Sequence, residues 1–126
     1  MSYRGIIIEE SLDNPLILNE VKIINTQVEA VTSSHQTPWV KHWNIHEVEI
    51  ADDKIEQFAD HLSRALDARR SSWYADLKND NQHFIVFHGK VFVIDRSKPE
   101  QYEQAKQYGM SLGIPERQLD FSPQIK

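Results

Sequence analysis

The stretch Phe84-Ile85-Val86-Phe87-His88-Gly89-Lys90-Val91-Phe92-Val93-Ile94 decides the fold. Two runs of β-branched and aromatic residues flank a glycine-containing turn, the pattern of a β-hairpin. Whichever residues make the turn, Phe84, Val86, Val91 and Val93 share one side and Ile85, Phe87, Phe92 and Ile94 the other. A hairpin with one wet face alternates apolar with polar residues. This one is apolar on both faces, so it needs two covers.

Just upstream, Asn79-Asp80-Asn81 is a turn after a strand in which Trp73, Ala75 and Leu77 share one face and Tyr74, Asp76 and Lys78 the other. Downstream, Ser97-Lys98-Pro99-Glu100 reads as a capping box opening a helix. Tyr102, Ala105, Gly109 and Leu112 form its inner face. Gly113 supplies a left-handed end, Ile114 an apolar contact, and Pro115 blocks continuation. Leu119 and Phe121 dock the segment that follows.

Towards the N-terminus, residues 4–10 read as a strand whose Ile6-Ile7-Ile8 run suggests burial on both faces. After the Asp13-Asn14-Pro15 turn, residues 19–32 alternate as a half-buried strand. Residues 32–38 form a polar loop. Residues 39–50 resume a strand, with a bulge near His46 where the apolar parity changes. Asp53-Lys54-Ile55-Glu56 is a variant capping box with Asp53 as N-cap. Ile55, Phe58, Ala59, Leu62, Ala65 and Leu66 then make an amphipathic helical stripe. Asp60 and Arg64 pair on its outer face, and Arg69-Arg70 suit its negative end.

The order is β-β-β-α-β-β-β-α, an α+β fold with a mostly antiparallel sheet and both helices packed on one sheet face. On that reading a curled or second sheet, or another subunit, closes the other face, which makes a homodimer one of the solutions. Residues 1–121 form a single α+β domain and 122–126 a frayed C-terminal tail.

Composition narrows the function. The chain has 126 residues, a mass of 14.7 kDa, 14 basic and 19 acidic residues, a net charge of −5 and a pI near 5.6. That balance argues against nucleic acid and against an anionic membrane surface. The absence of cysteine excludes disulfides, thiol nucleophiles and thiolate metal sites. No apolar run approaches the ~20 residues of a membrane span, and no secretory signal is recognisable, so the expected location is cytoplasmic.

Four segments carry a resemblance: Tyr3-Arg4-Gly5-Ile6-Ile7-Ile8-Glu9-Glu10-Ser11-Leu12, Trp73-Tyr74-Ala75-Asp76, the hairpin from Phe84 to Phe92, and Tyr108-Gly109-Met110-Ser111-Leu112-Gly113-Ile114-Pro115. Together they resemble a group of short, uncharacterised single-domain bacterial and archaeal proteins with no assigned activity. The resemblance implies a cytosolic microbial setting and transfers no catalytic residues.

Candidate chemistry is sparse. His42 and His46, with His35 from the loop, suggest a metal site only if the segment were helical. On a strand, four residues span about 13 Å, too far for one ion. Tyr74, Asp76 and Lys78 form a stripe suited to proton transfer or simply to facing water. His83 and His88 flank the apolar hairpin as candidate titrating groups. Trp73 reads as core and Trp39 as a surface-active aromatic. No nucleophile elbow, phosphate loop or dinucleotide fingerprint is present.

Two readings follow. The first is a non-catalytic binding or self-assembling module for a small molecule or protein, without cofactor, with Trp39, Tyr74, Asp76, Lys78 and His88 as ligand-binding residues. The second is a small acid/base or hydrolytic enzyme using Asp76, Lys78 and a histidine.

Overall fold

The computed structural model describes residues 2–30, 42–67 and 73–114. Its strands are β1 (Ser2–Ile8), β2 (Lys22–Ala30), β3 (His42–Ala51), β4 (Tyr74–Lys78), β5 (Gln82–Phe87) and β6 (Lys90–Asp95). Its α-helices are α1 (Ile55–Ala65) and α2 (Glu100–Ser111), and short 3-10 turns at Glu9–Ser11 and Pro15–Glu20 link β1 to β2. The strands form one antiparallel sheet of order β2-β3-β1-β4-β5-β6. The class is α+β. The domain boundary at 121 and the tail at 122–126 lie outside the described residues, as do the loop at 32–38, Arg69-Arg70, Leu119 and Phe121.

The β5–β6 hairpin turns at Gly89, whose φ of 76° is one that glycine adopts without strain. Its two apolar faces are covered from opposite sides. Phe84 and Val86 pack with Phe58, Leu62 and Leu66 from the α1 region in a core that also holds Tyr3, Ile7, Val48 and Leu77. Ile85, Phe87 and Ile94 pack instead with Tyr102 and Ala105 of α2 and with Ile114. The expectation that both helices share one face is therefore corrected: α1 covers one face and α2 the other. The ribbon alternates apolar residues towards both sides, and α2 follows β6 after a short connection, so it is the element within reach of the second side. No second sheet or subunit is needed there. Val93, on the edge strand, is the exception, at 51% exposure.

Other local expectations shift for identifiable reasons. Of the Ile6-Ile7-Ile8 run, Ile7 is fully buried and Ile6 is exposed, because α2 does not reach over β1. The bulge lies in β2, between Ile23 and Asn25, while β3 pairs with β1 without interruption from Ala51 to Ile45. The parity change in β3 reflects a change of face: Val48 sits on the α1 side opposite Gly5, and Ile45 on the other side opposite Ile8. Neither capping box closes. Lys54 and Pro99 precede the helices without side-chain caps, and Ser97 bonds to Asp95 instead, through N (3.0 Å) and Oγ (2.7 Å). The C-terminal end of α2 forms as read, with Gly113 at φ 92° and the Ile114 N–H donating to Gly109 O at 3.2 Å. Leu112, read as inward, is exposed.

Candidate functional site

Pairing of β4 with β5 sets Asp76 opposite Ile85 and Lys78 opposite His83. Asp76 and His83 are thus diagonal neighbours on the face that α2 covers, within reach of one another. His83 is fully buried, a polar residue at an inward position, and such groups need partners. It has two. Nε2 lies 2.6 Å from Asp76 Oδ2, and Nδ1 lies 2.9 Å from Tyr102 Oη in the first turn of α2.

The roles follow from chemistry. An ionised carboxylate only accepts, so a neutral His83 donates from Nε2 and accepts the Tyr102 O–H at Nδ1. Burial pushes the Tyr102 hydroxyl above its ordinary pKa. The charge of Arg96 and a hydrogen bond from its guanidinium oppose that rise, and the Asp76 charge adds to it. The result is a continuous chain, Arg96–Tyr102–His83–Asp76.

Arg96 also organises the neighbouring turn. Its backbone N–H donates to Asn81 O at 3.0 Å and its Nη1 donates to Asn79 O. Asn79 Oδ1 accepts from the N–H groups of Asn81 (2.9 Å) and Gln82 (2.7 Å), a local side-chain turn. Between this turn and the β6–α2 junction lies a cavity of about 770 Å³, lined by Asn79, Asp80, Asn81, Gln82, Asp95, Arg96 and Ser97. Every lining side chain is polar. Ser97 hydrogen bonds hold the Asp95 carboxyl below its ordinary pKa, so it is an anion at neutral pH. The wall therefore offers a guanidinium, two acidic side chains, amides and a hydroxyl.

A second chain of the same kind sits at the other side of the sheet. His46 Nε2 is 2.9 Å from Glu9 Oε1, and Nδ1 is 2.8 Å from Thr26 Oγ1. Glu10 beside it accepts from Asn44 N and Nδ2, each at 2.6 Å. His46 is buried, but Thr26 is exposed and Glu9 half-exposed.

Tyr74, Asp76 and Lys78 share one face of β4, as read. Tyr74 stacks obliquely on Phe87 at 5.9 Å, Asp76 holds His83, and Lys78 lies between Arg4 and His83 in register. His88 is exposed in the hairpin turn, at the opposite end of β5 from His83, and does not join them. Trp39 and His35 lie outside the described residues. Trp73 is buried against Trp43, with ring centroids 5.4 Å apart. His42 is exposed at the start of β3, and among the described residues no three His, Asp or Glu side chains group as a metal site. The reading from sequence placed Asn79 in the turn but gave it no part in a site, missed Tyr102 as a polar partner and missed Arg96 altogether. One signal was available: His83 has the parity of Ile85 and Phe87, so it points inward and demands partners. No protein-family model matches this chain, and neither does any curated protein or solved structure.

Proposed function

We propose that the protein is a non-catalytic binding module for a small hydrophilic molecule, working in the cytoplasm as a homodimer. The cavity at the β4–β5 turn is the observation that carries this reading. Its volume falls within the 300–1,000 Å³ or so typical of small-molecule sites, and the charged and amide groups of its lining residues suit a charged, hydroxyl- or amino-bearing ligand. Arg96 takes an anionic group, and Asp80 and Asp95 take donors. Arg96 is braced from behind by Tyr102 and His83, which favours a preorganised binding wall. The same bracing weighs against catalysis by His83, since both ring nitrogens are already partnered.

The alternative, an acid/base enzyme using Asp76, Lys78 and a histidine, is favoured by one contact, the Asp76–His83 hydrogen bond at 2.6 Å, with the Asp76 side chain partly exposed. NMR titration of the labelled chain with inorganic phosphate and with L-glutamate separates the readings. The expected result is amide shifts concentrated at residues 79–82 and 95–97, lost in Arg96→Met. Shifts centred on residues 74–78, or conversion of an added compound that disappears in Asp76→Asn, would favour the enzyme. No shift at the cavity with any charged probe would overturn the binding site.

A further inference from the structure

We infer that two copies of this chain pair antiparallel through β2, joining two six-stranded sheets into one of twelve strands. This names the surface for the homodimer in the reading above and is independent of the cavity. Among the described residues β2 is an edge strand. All nine of its residues are exposed, including Ile23 at 43%, Ile24 at 40% and Val28 at 63%. An exposed apolar edge is a template for strand addition.

Self-complementarity selects a second copy as the occupant. The register shift leaves Ile24 as the extra residue, so Ile23, Thr26 and Val28 face one way, opposite Val48, His46 and Asn44 of β3. Lys22, Asn25, Gln27 and Glu29 face the other, opposite Glu49, Glu47, Ile45 and Trp43. Antiparallel partners must share a face. A two-fold axis through Thr26, with Ile24 bulged in both copies, satisfies that rule at every position. It sets Thr26 against its copy, Asn25 against Gln27, Ile23 against Val28 and Lys22 against Glu29. The ion pair, the apolar pair and the amide pair each occur twice, as an isologous contact requires. An axis through Asn25 or Gln27 instead puts Thr26 against Ile23 or Val28 and loses the ion pair. Thr26 is already oriented at the axis by its hydrogen bond to His46. Lys22 also feels Glu49 within its own copy, so the partner's carboxylate adds to an existing attraction.

A single strand pair is a small interface, so dissociation falls in roughly the micromolar range. Sedimentation equilibrium of the full chain between about 1 and 200 µM reads it. The wild type is expected to shift from monomer to dimer across that range. Lys22→Glu and Glu29→Lys should each weaken association about tenfold or more, and the double reversal should restore it to within about threefold of wild type. Recovery in the double variant also shows that the single changes leave the fold intact. A wild type that stays monomeric overturns the homodimer together with this surface. A dimer unmoved by either single reversal overturns the β2 pairing alone.

Discussion

The two carboxylate–imidazole–hydroxyl chains of this molecule have the same wiring and opposite surroundings. In each, a histidine turns Nε2 to a carboxylate and Nδ1 to a hydroxyl, at distances between 2.6 and 2.9 Å. Asp76–His83–Tyr102 lies under α2, on a strand covered from both sides. Glu9–His46–Thr26 reaches onto β2, where every residue is exposed. Hydrogen bonds of equal length are not equal in effect: where water cannot replace a lost partner, the full desolvation penalty remains. Cover, more than local chemistry, makes the first chain an anchor for the cavity and leaves the second at the wet edge.

The largest expected effect is at the histidines. His83→Ala strands the Asp76 carboxylate and Tyr102 hydroxyl beside a new void and should cost about 3–5 kcal/mol in urea unfolding. His46→Ala should cost only about 1–2 kcal/mol, because its partners can turn to water. Equal losses would break the comparison.

Gly5→Ala comes next. A Cβ there would lie 1.8 Å from Asp76 O, so β1 and β4 must separate, at about 2–3 kcal/mol. The ring resonances of His83 should shift with the displaced Asp76, while those of His46 should move less.

The hydroxyls sharpen the contrast at smaller scale. Tyr102→Phe leaves His83 Nδ1 unpaired and should cost about 1–2 kcal/mol. Thr26→Val, β-branched and exposed, should stay within about 0.5 kcal/mol.

The pH dependence is smaller still near neutrality. The Tyr102 hydroxyl is raised above 10.0 chiefly by burial, and Tyr3 likewise. Their contribution is whole below pH 10.0 and is lost as pH rises from there through the folded values, since the unfolded chain ionises first. The alkaline fall in thermal stability should therefore flatten in Tyr102→Phe. At the acid end Glu49, lowered mainly by the Ser2 hydroxyl, and Asp95, lowered by Ser97, act in the opposite sense. Their contribution is present above the ordinary carboxylate pKa and lost as pH falls through the depressed values. Asp95 is exposed to solvent, so Ser97→Ala should move the acid midpoint only slightly.

The covered half of the sheet was the more legible in the sequence. Two-sided apolarity at residues 84–94 demands two covers, and the stripe from Ile55 to Leu66 supplies one. The side taken by α2 was not legible, because an amphipathic helix has a buried face whichever side of the sheet it meets. The Asp76–His83–Tyr102 chain was half legible. Parity turns His83 inward, but its partners are seven residues back and nineteen ahead and need strand register to find. The open half was misread at the bulge, because parity along β3 records which face is covered and not where its neighbour carries an extra residue.

Native-state amide hydrogen exchange at low micromolar concentration, where copies are apart, tests most directly whether cover sets the difference between the two halves. Amides of Ile85, Val86 and Phe87 are expected to exchange only through global unfolding, and those of β2 orders of magnitude faster through local opening. Equal protection in both strands, or fast exchange in β5, would contradict a hairpin shielded from both sides.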